Sequence, residues 1–177
     1  MLTLRFKKTL DADAILTMIR ADGSAASTRI GAAGGFGPMH DMAHVVVERQ
    51  LVLVDGVLNL VARGARFDDF DETAAASIGP DAIRAEAVAN LLSLEVLTGH
   101  RFPIAAFNDA VASRCAALRP GFHVPDLTPS ALHDLRSELA ALRRQWEGLD
   151  PGATLELRFG TEDRPLSERP RGQPLVQ

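Results

Sequence analysis

Leu2, Leu4 and Phe6 alternate with Thr3, Arg5 and Lys7, and a period of two is what a strand needs to bury one face and wet the other. A second apolar stretch, Ile15 to Ile19, runs into Ala21-Asp22-Gly23-Ser24. Asp-Gly supplies the positive φ of a tight hairpin turn, which makes Thr28 to Ile30 the returning strand. Towards the other end, Asp150-Pro151-Gly152 turns into Thr154-Leu155-Glu156-Leu157-Arg158-Phe159, apolar at every second position. Together these segments predict a small antiparallel sheet.

Between them the period lengthens. Pro38 fits the first turn of a helix, where its missing N–H costs nothing, and the helix extends to about Val52. Val45-Val46-Val47 is β-branched and Leu51 to Gly56 resembles a hairpin arm, so the two forms compete locally. His40, His44, Val47 and Leu51 fall on one stripe at i, i+4, i+7 and i+11, which favours helix. Gly56 to Gly64 predicts a second short helix closed by glycine. Pro80 and Asp81 open a long helix stopped after Thr98 by Gly99, and Phe102 to Leu118 forms another. Thr128 caps the last, with Pro129 at its first position, Leu132, Leu135, Leu139 and Leu142 on its apolar stripe, and an end near Trp146. The expected fold is therefore α+β: a small antiparallel sheet packed against about five helices. Residues 1–159 form one domain, and residues 160–177, rich in proline and charge, form an extended tail.

Composition narrows the function without choosing it. A chain of 177 residues, 46% hydrophobic and 24% charged, has room for one substantial core. A net charge of −4 argues against nucleic acid as the main partner. No apolar run approaches the roughly 20 residues that span a bilayer, so no membrane is expected. Met1 to Phe6 lacks a basic stretch followed by an apolar one, so the expected compartment is the cytoplasm. A homo-oligomer is compatible with the chain. Cys115, the single cysteine, rules out an intramolecular disulfide and a cysteine-based zinc cluster, and among Val111, Ala112, Ala116 and Leu118 it reads as a small buried hydrophobe. The connector from Gly31 to Gly37 has the glycines of a phosphate loop but no following Gly-Lys-Ser/Thr. Asp68-Asp69-Phe70-Asp71-Glu72 lacks the regular spacing of a calcium loop and reads as a solvated turn or cap.

One segment concentrates chemistry: His40-Asp41-x-x-His44-x-x-x-Glu48. On a helix, His40 and His44 lie about 40° apart and one turn along the axis, so both imidazoles can face one metal ion. Glu48 and Asp41 extend that sector, near 80° and 100° from His40. Glu48 is about 12 Å along the axis from His40, too far for one ion with bonds near 2 Å. It is therefore expected to orient His44 or pair with it alone. Asp41 or Glu48 is the residue expected to activate water. A mononuclear site needs a third ligand from elsewhere, and Glu95, on the apolar face of the Pro80 helix between Val88 and Leu91, is the candidate. A buried carboxylate there needs a cation, a donor or a proton, and an ion pair with Arg49 or Arg63 meets the same need. His100 follows as a candidate, whereas His123 and His133 have no local support.

His40-Asp41-Met42-Ala43-His44 resembles the His-Glu-x-x-His helix of zincins with Asp in place of Glu. That likeness implies a hydrolytic zinc site with Asp41 as general base. The His-Asp pair also resembles HD-type phosphohydrolases, which use an earlier histidine, and this chain has none before His40. Pro38-Met39-His40-Asp41, followed by His44, Val47 and Glu48, is similar to a segment of small bacterial proteins of unassigned function. The similarity covers the first 70 residues or so, implies a shared fold, and brings no activity with it.

Two functions follow. One is a metal-binding protein, extending to a metal-dependent hydrolase, with His40, His44 and Glu95 holding a divalent transition metal (Zn, Mn, Fe or Ni) and a small-molecule substrate left unspecified. The other is a non-enzymatic binding or interaction protein in which the two histidines are structural.

Overall fold

The computed structural model describes residues 1–10, 13–31, 37–66 and 79–160. Strands β1 (Leu2–Lys8), β2 (Ala14–Arg20), β3 (Ala25–Ile30) and β4 (Thr154–Phe159) form one antiparallel sheet in the order β3-β2-β1-β4. Phe6 stands opposite both Leu16 and Leu155, and Leu4 opposite Met18 and Leu157. One face of the sheet is thus apolar across three strands, as the alternation requires. Leu2, Leu4, Phe6, Leu16 and Met18 are buried on it, while Arg5 and Glu156 pair at 2.9 Å on the other. The turn at 21–24 is closed by Gly23 at φ 84 and by the Asp22 carboxylate, which accepts from the Ser24 amide at 2.9 Å. The returning strand starts at Ala25, three residues earlier than Thr28.

Among the described residues the sheet is accompanied by five helices, α1 (Gly37–Gln50), α2 (Val57–Ala62), α3 (Pro80–Thr98), α4 (Ile104–Leu118) and α5 (Pro129–Glu147), with α1 packed against β2 and α4 against α3. α1 is central, packed against both α3 and α5, and Met42, Ala43, Val45, Val46 and Val47 are all buried. This explains why a triple-valine run is helical. A helix surrounded by protein needs no polar face, and burial outweighs the small propensity cost of β-branching. The turn that follows α1 passes through Val52, left-handed at φ 54, with the Leu53 amide donating back to the Glu48 carbonyl. Glycine is the usual residue there, and a β-branched one stores roughly 1 kcal/mol or more.

The other ends follow the sequence closely. Gly99 closes α3 at φ 70, and the Thr128 hydroxyl accepts from the Ala131 amide to cap α5. Two cations from the sheet hold the opposite ends. Lys8 donates to the carbonyls of Trp146, Glu147 and Leu149, and Arg20 to those of Val61 and Ala65, where α5 and α2 end. Cys115 is buried within α4. No helix among the described residues is long and apolar enough to cross a membrane. The acidic cluster at 68–72, most of the glycine-rich connector and residues 161–177 lie outside the described residues.

Candidate metal centre

α1 carries His40 and His44 one turn apart, with ring centroids 4.8 Å apart and planes crossed at 80°. α3 packs alongside and presents Glu86 to both. Its Oε2 lies 3.0 Å from His44 Nε2 and 3.5 Å from His40 Nε2. Two imidazoles thus direct the same ring nitrogen at one carboxylate oxygen. Ligand atoms of His40, His44 and Glu86 all lie within 4.8 Å of one another. Around a tetrahedral ion with bonds near 2 Å, donor atoms sit about 3.3 Å apart. The two histidine–glutamate distances already fit that spacing, so the three residues could hold a metal ion.

Support comes from both sides. The second Glu86 oxygen accepts from Asn90 Nδ2 at 2.5 Å, one turn along α3. On the far side of His44, Nδ1 lies 3.2 Å from Glu48 Oε1. Glu48 is fully buried, and its carboxylate also accepts from the Leu58 amide at 2.9 and 3.1 Å and from the Asn59 amide at 3.4 Å. These amides belong to the first turn of α2, whose own donors are otherwise unsatisfied. Gly56 makes the approach possible, since a Cβ there would come within 2.3 Å of Glu48 Oε2.

Electrostatics follow from this packing. Burial alone would push His44 down, but the flanking carboxylates of Glu48 and Glu86 more than reverse that and raise it to about 10. Burial works upwards on Glu86, and the hydrogen bonds and charges of both imidazoles override it, holding the carboxylate well below its ordinary range. Asp41 moves the other way: burial lifts its carboxyl, Glu86 adds to the lift, and the two imidazoles oppose it. With no metal bound, His44 is an imidazolium between two carboxylates. His44 forms the floor of the site at 6% side-chain exposure, whereas His40 and Glu86 reach the rim at 24% and 37%.

No family model matches the chain, and no curated protein or solved structure matches it either. Any functional reading rests on geometry.

Of the residues singled out from sequence, His40, His44, Asp41 and Glu48 come together, with Glu48 behind His44 rather than beside a common ion. Glu95 does not join them. Nine residues along α3 from Glu86, it accepts from Arg136 through two nitrogens and from the Phe102 amide at 2.8 Å. Its partner is thus an arginine, but one from α5: Arg49 pairs with Glu138, and Arg63 with Asp55. The reason is reach. Nine residues of helix span about 13 Å, too far for Glu95 to share an ion with His44 once Glu86 faces it. His100 is exposed and stands edge-on to Phe102, while His123 and His133 are exposed.

Glu86 is the residue sequence reasoning missed. A signal for it exists: Glu86, Asn90 and Ser93 recur at i, i+4 and i+7 amid alanines and valines, a polar stripe on an otherwise buried helix.

Proposed function

We propose that this protein binds a divalent transition metal through His40 Nε2, His44 Nε2 and a Glu86 oxygen, and that the bound metal serves hydrolysis. The observation that supports the reading is the convergence of two imidazoles and a carboxylate from separate helices within 4.8 Å. Two nitrogens and one oxygen suit Zn, Mn, Fe or Ni, and three protein ligands leave a position for water. The protein residues then have distinct tasks. Glu48 holds Nδ1–H of His44, which leaves Nε2 as the donor nitrogen and raises its basicity. Asn90 orients Glu86. Asp41 is the acid–base group, because burial moves its carboxyl in the direction a general base at neutral pH requires. The metal would supply an acidified water and a Lewis acid.

Elemental analysis of protein purified without a histidine tag tests this. About one equivalent of metal is expected in the wild type, with loss in His44→Ala and Glu86→Ala. Absence of stoichiometric metal, with no uptake of Zn²⁺, Mn²⁺, Fe²⁺ or Ni²⁺, overturns it.

A second reading has its own observation. Both His44 nitrogens are already matched by carboxylates at 3.0 and 3.2 Å, a closed triad that needs no metal. A non-enzymatic binding protein built on that triad predicts that His44→Ala lowers stability while metal content stays at zero in both proteins.

A further inference from the structure

Away from the histidines, the C-terminal half of α3 and the facing side of α5 enclose a cleft of about 220 Å³. Three guanidiniums line it, from Arg101, Arg136 and Arg143. Two of them are compensated. Arg136 is committed to Glu95 and the Phe102 carbonyl, and Arg143 to Glu147 at 2.6 Å and the Val96 carbonyl at 3.3 Å. Arg101 is exposed and has no ion-pair or hydrogen-bond partner among the described residues. The cleft therefore carries one uncompensated positive charge.

Between these charged groups the lining is apolar, with Leu92 and Val96 on one side and Leu139 on the other. Val96 and Arg143 also line an adjoining cleft of about 200 Å³ that runs to Trp146 and the half-exposed Leu97. The two clefts share Val96 and Arg143 in their lining, so they adjoin along these side chains, with Met39, Leu97 and Trp146 as the apolar side of the second. For scale, a cavity of roughly 150 Å³ suffices for benzene.

We propose that this cleft binds a monoanionic carboxylic acid with a short apolar body, its carboxylate on Arg101 and its chain along Val96 towards Trp146. One free guanidinium suits one negative charge, and its planar fork matches a carboxylate. The apolar walls select against acetate-sized anions, because only a longer body removes surface from water. A second anionic charge would face Glu95 and Glu147.

Trp146 is the sole tryptophan and the chain has no tyrosine, so its fluorescence reports directly on the adjoining cleft. Hexanoate is the probe, with acetate and 1-hexanol as controls for the chain and the charge. Saturable hexanoate binding is expected below about 10 mM, weakened about tenfold by Arg101→Ala and partly restored by Arg101→Lys. Ala140→Met, which fills the cleft without touching the charge, should also weaken it. Binding should survive His44→Ala, which separates this outcome from the metal reading. No saturable response to hexanoate, equal binding by hexanol, or full affinity in Arg101→Ala would overturn the proposal.

Discussion

Two glutamates nine residues apart on α3 meet the same problem and solve it differently. Glu95 is closed by Arg136, whose planar guanidinium fork satisfies both carboxylate oxygens and has no lone pair to give a metal. Glu86 is met by two imidazoles, whose ring nitrogens can offer a lone pair to a metal. The first assembly is a lock. The second is an ion cluster in which a metal can replace a proton at His44. What separates structure from a candidate centre on one helix is thus the chemistry of the partner, and exposure with it, since Glu95 is buried and Glu86 reaches the rim.

Breaking the lock should have the largest effect. Arg136→Ala leaves Glu95 buried without its cation and is expected to cost about 3–5 kcal/mol in urea unfolding. A double change of Glu95 and Arg136 to leucine should recover most of that loss. If Arg136→Ala costs under about 1 kcal/mol, the pair is not the lock described.

At the centre, Gly56→Ala should be the next most damaging. Its Cβ would occupy the place of the Glu48 carboxylate, and a displaced, buried carboxylate costs about 2 kcal/mol. Under the metal reading the same change weakens metal affinity about tenfold or more, because His44 loses its orienting partner. Unchanged stability would show that Glu48 can move freely. Thr128→Ala, remote from both glutamates, should cost only about 1 kcal/mol and add to either variant without coupling.

The pH dependence sharpens the contrast further. In metal-free protein, His44 is raised from 6.5 to about 10, so its contribution to stability is full below pH 6.5. It declines above that and is gone once pH passes about 10. Glu86, lowered from 4.5, contributes fully above that value and loses its contribution as the solution becomes more acid. Metal-free protein should therefore be most stable between about pH 4.5 and 6.5 as far as this cluster is concerned. Urea midpoints of wild type and His44→Asn should converge as pH rises towards 10. A constant gap between them would mean that His44 does not titrate as described.

Most of the fold was legible because its determinants are local. The alternation in β1 and β4, Pro80 and Gly99 around α3, and Thr128-Pro129 before α5 each mark an element without knowledge of the rest. α1 was ambiguous for the converse reason: Val45-Val46-Val47 is helical only because α3 and α5 surround it. The centre divides the same way. His40, His44 and the separate place of Glu48 follow from helix geometry, which a spacing reveals. The partner on α3 depends on how two helices are rotated about their axes, and Glu86 and Glu95 look equally buried in sequence. That rotation is a property of the packed core, so Glu95 was favoured where Glu86 stands.

The pairing of β1 with β4 has a consequence for how the molecule is made. Arg5 and Glu156, joined across that pair, are 151 residues apart in the chain. During synthesis at about 5–20 residues per second, β1 must wait on the order of ten seconds for its second neighbour. Until then its Leu2-Leu4-Phe6 row lies at the edge of a three-stranded sheet, open to pairing with any extended chain nearby. β4, the last of the described strands to leave the ribosome, is the one that closes that edge.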